Sequence, residues 1–224
     1  MPRRRIALST ASSARALIVT GGSLGPWALE RLSEYAYLVG ADRGAEYVAE
    51  RGIRMHLAVG DFDSVSEGRL DAIRDASDEL LSFDAIDKDW TDTELALRET
   101  VCRGFRDIDI VGGLGTRFDH SLANVQLLKQ AQELGCSLRL IDEHNEIRLC
   151  ERRVRLEADA RYAYVSLLPL TERASGITLQ GFRYPLTDAT IRMGQSIGVS
   201  NVLDEREGTI EVREGLLLVV RSRD

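Results

Sequence analysis

Short apolar runs alternate with amphipathic segments over residues 15–142. The apolar runs have the length and composition of buried strands in a parallel sheet, and the segments between them have the length of helices. This alternation predicts a mostly parallel open sheet with helices on both faces, a Rossmann-like α/β domain. Strands are predicted at 16–20, 37–40, 56–60, 79–83, 108–111 and 137–141, and helices at 26–36, 44–51, 66–76, 92–104 and 120–134.

The pattern changes near residue 145. From there to residue 224, short β-like runs follow one another, separated by turns and without a long helical segment. This predicts a smaller all-β, sandwich-like domain over 145–224, after an α/β domain over 15–142 and an N-terminal tail over 1–14. The β-like runs lie at 147–149, 154–156, 162–167, 177–179, 210–212 and 216–220.

The composition is that of an ordinary globular protein. The chain has 224 residues, of which 44% are hydrophobic and 29% charged. It has no apolar run of the roughly 18 residues that a membrane helix needs, and residues 1–14 lack the apolar core of a signal peptide. The three cysteines are far apart in sequence, which predicts neither a disulfide framework nor a zinc ribbon. We therefore expect a cytoplasmic protein without a membrane partner.

The net charge of −7 narrows the class of ligand. Proteins that bind a nucleic-acid backbone draw their affinity from clustered lysine and arginine, so we expect no nucleic-acid partner. In so acidic a protein, a phosphate substrate would need a bound metal cation to neutralise part of its charge.

Acidic residues follow two of the predicted strands. Asp61 and Asp63 come after 56–60, and Asp89 and Asp92 come after 79–83. If the chain stays extended past the first of these strands, Asp61 and Asp63 project to the same side while Phe62 packs away from them. Two carboxylates about 4 Å apart repel by roughly 4 kcal/mol at an effective dielectric of about 20, so the pair requires a counter-ion. Mg²⁺ that carries nucleotide phosphates suits such an oxygen site. The alternative is a loop in which one aspartate caps a helix and the other is solvated.

Other strand ends carry residues suited to phosphate. Gly21 and Gly22 follow the first strand, and Asp42 and Arg43 follow the second. The fifth strand runs into a glycine-rich loop with a cation ahead of a helix, at 112–120, and such loops favour anions. The P-loop motif is absent. Thr91 and Glu94 also have the spacing of a capping box, which gives this segment a purely structural interpretation.

Taken together, these segments resemble the thiamine pyrophosphokinase family. The family patterns Ala-Asp-Gly-Gly-Ala, Gly-Asp-x-Asp-Ser, Lys-Asp-x-Thr-Asp-x-Glu-x-Ala-Leu, Gly-x-x-Gly-x-Arg-x-Asp-His, Leu-Lys-Tyr-x-Leu and Gly-x-Ser-Asn are matched in order. The matching segments are 41–45, 60–64, 88–97, 113–124, 182–186 and 198–201.

The resemblance implies an enzyme that transfers the diphosphoryl group of ATP to thiamine. It implies an ATP-binding α/β catalytic domain, a β-sandwich-like thiamine-binding domain, Mg²⁺, and a homodimer in which both domains help to enclose thiamine. On matching positions, the acidic metal and phosphate site is formed by Asp42, Asp61, Asp63 and Asp92, with Asp61, Asp63 and Asp92 as the metal ligands.

The resemblance also assigns residues to the two substrates. Ser64 and Thr91 lie beside the metal site, and Arg117 and Lys88 contact the ATP phosphates. Asp119 orients thiamine or caps its helix. In the second domain, Ser200 and Asn201 line the thiamine pocket, as part of the partner subunit.

The chain departs from the family pattern at two positions. Arg43 stands where the family often has glycine, and either contacts phosphate or points to solvent. Val202 stands where an acidic residue often follows the Ser-Asn pair, so the acceptor is less firmly indicated than ATP. Alternatives are a diphosphokinase for another hydroxymethyl heterocycle such as a pterin, a metal-dependent glycosyl- or nucleotidyltransferase, and a nucleotide-binding regulator without catalysis.

Overall fold

Two β-sheets and five helices make up the described part of the chain. The structure, a computed structural model, describes residues 14–62, 67–83, 89–115 and 117–224. The strands are β1 (Arg15–Val19), β2 (Tyr37–Ala41), β3 (Met55–Gly60), β4 (Ser77–Ser82), β5 (Asp107–Val111), β6 (Ser137–Ile141), β7 (Asn145–Cys150), β8 (Arg153–Glu157), β9 (Tyr164–Pro169), β10 (Arg173–Gln180), β11 (Ala189–Arg192), β12 (Glu207–Glu211) and β13 (Leu217–Ser222). The helices are α1 (Pro26–Leu32), α2 (Arg43–Ala49), α3 (Glu67–Asp75), α4 (Asp92–Cys102) and α5 (Phe118–Glu133).

The larger sheet contains the parallel part that the sequence predicts. Its nine strands lie in the order β4-β3-β2-β1-β5-β6-β7-β13-β9, and β1 to β6 pair in parallel. The chain builds the sheet outward from β1 to β4, then returns to the other side of β1 with β5. This reversal is a topological switch point, where ligands bind in open α/β sheets.

Helices cover both faces of the parallel strands. On one face, Leu97 of α4 and Leu128 of α5 pack in a fully buried cluster with Ile18 and Ile110. On the other face, α2 and α3 contribute to a second cluster around Leu17, with α1 at its margin through Trp27. The predicted α/β class, with helices on both faces, is confirmed.

The second half of the chain is a β-sandwich that shares a layer with the first half. β7 pairs antiparallel with β6, and β13 and β9 continue the same sheet. The other layer is the antiparallel sheet β11-β10-β12-β8. Leu167 and Val219 of the large sheet pack on Leu156 and Ile210 of the small one. The predicted sandwich is confirmed, whereas the exact division at 142–145 stays a prediction.

Candidate active site

A crevice lies at the carboxyl ends of β1 and β5, where the two strands lead to helices on opposite faces of the sheet. β1 leads to α1 on one face of the sheet, and β5 leads to α5 on the other. Backbone hydrogen bonds join the loops: Gly22 N donates to Gly112 O (2.8 Å) and Ser23 N donates to Leu114 O (2.9 Å). A Cβ atom on Gly22 would lie 2.2 Å from Gly112 O, so this close approach requires glycine.

A cavity of about 330 Å³ occupies the crevice. It contains four of the predicted site residues, Asp42, Thr91, Asp92 and Arg117. The other lining residues are Thr20, Gly21, Gly22, Arg43, Thr93, Gly112, Gly113, Gly115, His120, Ser121 and Asn124. Asp119 borders an adjoining cavity of about 220 Å³, which shares Thr91, Thr93, His120 and Asn124 with the first.

Asp42 connects the end of β2 to α2 at the floor of this cavity. Its Oδ1 atom is buried and accepts no hydrogen bond from the described residues. Burial raises the pKa of Asp42, and the negative charges of Asp92 and Asp61 raise it further, although a backbone hydrogen bond from Arg43 opposes them. An unsatisfied carboxylate oxygen among like charges is an environment that a bound cation would stabilise.

The start of α4 places two further site residues at the cavity. Thr91 caps the helix, because its Oγ1 atom accepts a hydrogen bond from Glu94 N (3.2 Å), and Asp92 occupies the first turn. Glu94 does not complete the capping box within the described structure. Its Oε1 atom instead accepts from Arg98 (3.0 Å) and Gln130 (2.7 Å), which ties α4 to α5.

Arg117 and Asp119 form an exposed ion pair at the start of α5. The Arg117 guanidinium donates to Asp119 Oδ2 at 2.6 Å. This pairing holds the pKa of the Asp119 carboxyl below its ordinary value, and the His120 backbone N–H contributes in the same direction. The Arg117 side chain is therefore already partnered where it borders the cavity.

The segment after β3 differs from the prediction. Phe62 is buried, as expected, but its φ of +52° is left-handed. The chain is therefore not extended at this residue, which was the condition for Asp61 and Asp63 to project to the same side. The predicted residues Asp63, Ser64 and Lys88 lie outside the described residues. Within the described ranges, no three His, Cys, Asp or Glu side chains form a group that could hold a metal ion, so the metal ligands stay a prediction.

Comparisons with known proteins cover both halves of the chain. The family model for the thiamin pyrophosphokinase catalytic domain matches residues 29–140, and the model for the vitamin B1 binding domain of the same family matches residues 151–217. The thiamine pyrophosphokinase of Bacillus subtilis (strain 168) is 35% identical over 210 residues, which are 92% of this chain and 98% of that protein. The chain belongs to the thiamine pyrophosphokinase family. The resemblance drawn from its sequence motifs is confirmed.

Solved structures of the family have the same fold. A thiamine pyrophosphokinase structure from Bacillus subtilis aligns with a TM-score of 0.85 at 33% identity and covers 94% of this chain and 99% of that one. A family protein from Enterococcus faecalis aligns with a TM-score of 0.83 at 30% identity over 94% of this chain and 100% of its own. Yeast thiamin pyrophosphokinase, at 15% identity and a TM-score of 0.76 over 95% and 87% of the two chains, shows the fold alone.

Ser200 and Asn201, which the resemblance assigns to thiamine binding, do not line the crevice. Asn201 is buried, and its side chain accepts from Tyr184 N (3.1 Å) and donates to Tyr184 O (2.8 Å). Ser200 is exposed with a φ of +59°, and its N–H donates to Ser166 Oγ (3.0 Å). Asn201 thus holds the loop that carries Tyr184, and Ser200 lies on an exposed turn beside it.

Several polar residues of the crevice were not predicted as site residues, among them His120. Thr20 and Thr93 are buried, and their Oγ1 atoms lie 2.8 Å apart. Asn124 Nδ2 donates to Gly113 O (2.7 Å), and Ser121 Oγ accepts from Gly115 N (3.0 Å). The available signal was their position, because each is a polar residue at a strand end or in the first turns of a helix that follows one.

None of the described helices combines the length and apolar character that a membrane span needs.

Proposed function

We propose that this protein transfers the diphosphoryl group of ATP to the hydroxyl of thiamine, giving thiamine diphosphate and AMP. Family membership over both halves of the chain supports this reaction. The observation that carries it is the crevice at the switch point, where glycine backbone and the carboxylates of Asp42 and Asp92 surround one cavity. We call the glycine backbone of this cavity the glycine cradle; it consists of Gly21, Gly22, Gly112, Gly113 and Gly115. Such a site suits a polyphosphate that arrives with a metal cation.

The reaction requires little covalent help from the protein. The thiamine hydroxyl attacks the β-phosphorus of ATP in line, the diphosphoryl group moves as one unit, and AMP leaves. Enzymes accelerate this class of transfer mainly by positioning the reactants and stabilising charge on the transferred oxygens. In this chain, we assign this role to the close backbone approach at the glycines of the crevice and to the Arg117 guanidinium. We assign Lys88, Ser64 and Thr91 to ATP binding with them.

We assign the metal site to Asp61, Asp63 and Asp92, with Asp42 beside them. The donor set fits a hard divalent cation: the buried, unsatisfied Oδ1 of Asp42 lies in the field of two further carboxylates, and that field already raises the Asp42 pKa. When bound, Mg²⁺ would neutralise charge on the phosphate oxygens. The carboxylates would act on the phosphate chain only through the cation that they hold, because they repel the phosphate oxygens directly.

We assign thiamine binding to the edge of the crevice near Asp119 and to the second domain of a partner subunit. Ser200 and the loop held by Asn201 do not reach the cavity of their own chain, which is consistent with their use in a homodimer. Exposed apolar side chains flank both regions, with Phe118 at the start of α5 and Tyr184 beside Ser200. Such side chains favour contact with an aromatic substrate or a second copy of the chain.

The decisive experiment is to incubate the protein with ATP, Mg²⁺ and thiamine and to separate the products by chromatography. We expect AMP and thiamine diphosphate in equal amounts. ADP in place of AMP would mean that a different bond is broken. Turnover with a hydroxymethylpterin but not with thiamine would overturn the assignment of thiamine as the acceptor.

We expect Asp61→Ala to abolish turnover with little loss of stability, whereas Asp71→Ala on the exposed face of α3 should leave turnover unchanged. Near-normal turnover by Asp61→Ala would remove Asp61 from the metal site.

A further inference from the structure

Arg43 places an uncommitted positive charge at the edge of the crevice. It is the first residue of α2, directly after Asp42, and it borders the cavity. Its side chain is exposed and makes no hydrogen bond or ion pair with the described residues. Arg117, the other arginine of the cavity, is paired with Asp119 at 2.6 Å. Arg69, which lines a neighbouring cavity together with Arg43, is paired with Glu46.

The stem of Arg43 lies on the glycine cradle. A Cβ atom built on Gly21 would meet Arg43 Cβ at 2.9 Å, and the next two carbons of the side chain at 3.6 Å. A ligand held by the bare backbone of Gly21 and Gly22 would therefore pass beside the Arg43 side chain. The charge of Arg43 also acts on Asp42, because it lowers the pKa of that carboxyl against the effect of burial.

The strand order sets the spacing of the two arginines. Arg43 follows β2 and Arg117 follows β5, with β1 between these strands. Neighbouring strands lie about 4.8 Å apart, so the two strand ends are separated by about 10 Å. A polyphosphate that lies along the cradle from one strand end to the other would meet a cation on each side.

The chemistry of the two substrates decides which one Arg43 serves. ATP carries several negative charges, whereas the thiazolium ring of thiamine is a cation that an unpaired guanidinium repels. We infer that Arg43 binds the phosphate chain of ATP, a contact for which glycine at this position would have no side chain. This inference rests on the proposed function for the identity of the nucleotide.

The test compares Arg43→Ala with Arg54→Ala. Arg54 is also exposed, pairs with Asp78 at 2.7 Å outside the crevice, and its loss changes the net charge by the same amount. Calorimetric titration with Mg²⁺ and ATP measures Kd for each protein, and steady-state kinetics give KM for ATP and for thiamine. We expect Arg43→Ala to weaken ATP binding about ten-fold or more, the size expected for one lost charge-assisted contact. Arg43→Lys should recover part of the loss, and Arg54→Ala should match the unmodified protein.

The outcomes separate this inference from the proposed function. Unchanged ATP affinity in Arg43→Ala overturns the inference, as does an equal loss in Arg54→Ala or a rise in the KM for thiamine instead of ATP. If the unmodified protein binds ATP but forms no thiamine diphosphate, the proposed function fails while the binding comparison still decides the role of Arg43. Circular dichroism and the Tm of each variant exclude misfolding as the cause of weaker binding.

Discussion

The backbone at Asp42 has φ +47° and ψ −120°, a conformation that non-glycine residues rarely adopt. Strain of this kind costs about 1–3 kcal/mol and persists only where the surroundings impose it. Here the chain is held by the hydrogen bond from Asp42 N to Val59 O (2.9 Å) and by the start of α2. The strained backbone places Asp42, with its buried Oδ1 atom, at the cavity, and this supports the functional role proposed for the side chain.

We expect Asp42→Asn to separate stability from activity. The substitution preserves shape but removes a negative charge from the acid cluster, so turnover should fall by about 100-fold or more. The increase in Tm on adding Mg²⁺ should shrink for the same reason. Asp78→Asn, at an exposed carboxylate outside the crevice, should change neither quantity. Normal turnover together with a normal Mg²⁺ response would exclude Asp42 from the site.

The difference in stability between Asp42→Asn and the unmodified protein should also depend on pH in a defined direction. The pKa of Asp42 in the folded protein is raised above its ordinary value of 3.8, so the folded state binds this proton more tightly than the unfolded chain does. Ionisation of Asp42 therefore costs stability, and the cost grows as the pH rises from the ordinary pKa through the raised one. Denaturation in the absence of metal should show the variant gaining on the unmodified protein over that range.

At the level of elements, Asp109 ties three neighbouring strands together. It lies in β5 with none of its surface exposed, and its carboxylate accepts from Arg139 of β6 at 2.6 and 2.8 Å. Arg15 of β1 and Tyr35 donate to the same group. Burial and the Asp109 charge raise the pKa of Tyr35, which keeps its hydroxyl protonated as a donor.

We expect Asp109→Asn to destabilise the protein by about 3–5 kcal/mol, because it leaves two arginines at a largely buried site without their shared carboxylate. Asp107→Asn is the matched control on the same strand. Asp107 lies 3.6 Å from Arg15 and 3.9 Å from Arg139, but 49% of its side chain is exposed. Its loss should cost less than about 1 kcal/mol. Urea denaturation measures both free energies of unfolding, and equal effects would contradict a special role for Asp109.

At the level of the whole molecule, the continuous sheet couples the two halves. β6 and β7 pair across the junction, and Leu140 faces Ile147 in their register. These two residues belong to one buried cluster that also contains Leu218 of the last strand. Separation of the halves would break strand pairing and expose this cluster, so we expect them to unfold together.

The two tryptophans provide the measurement, since Trp27 and Trp90 both lie in the first half. In urea, tryptophan fluorescence reports on the first half and far-ultraviolet circular dichroism on both, and we expect the two curves to superimpose. If the proposed homodimer is the folded unit, the midpoint should rise with protein concentration. A circular dichroism signal that persists after the fluorescence change is complete would show independent unfolding.

Much of the fold could be read from local patterns. All six parallel strands and the five helices lie within a few residues of the prediction, because burial on both sides leaves continuous apolar runs between amphipathic helices. The helix predicted at 26–36 ends earlier, at Leu32. β11 was not predicted, since only Ile191 of its residues is buried and the apolar signal is correspondingly weak.

Part of the candidate site could be predicted as well, because the ends of the strands can be located in the sequence. Strand ends followed by acids and glycines identified Asp42, Asp92 and Arg117, and the parallel topology brings these ends to one edge of the sheet. The bond between Thr20 and Thr93 joins segments that are 73 residues apart, and no periodicity in the sequence encodes such a pair. Arg117 and Asp119 are only two residues apart, but their pairing depends on side-chain geometry at the start of α5. This pairing leaves Arg43 as the uncommitted arginine of the described cavity.

The sequence by itself determined the class of most segments and the family of the chain, because hydrophobic periodicity and short motifs are local properties. Only the tertiary structure decided that β7, β13 and β9 join the catalytic sheet, where Leu217 pairs with Cys150 and with Pro169. It also decided the contact between Gly22 and Gly112 that shapes the crevice. These features depend on which distant strands and loops meet, and that choice follows from the burial of the whole core rather than from any single segment.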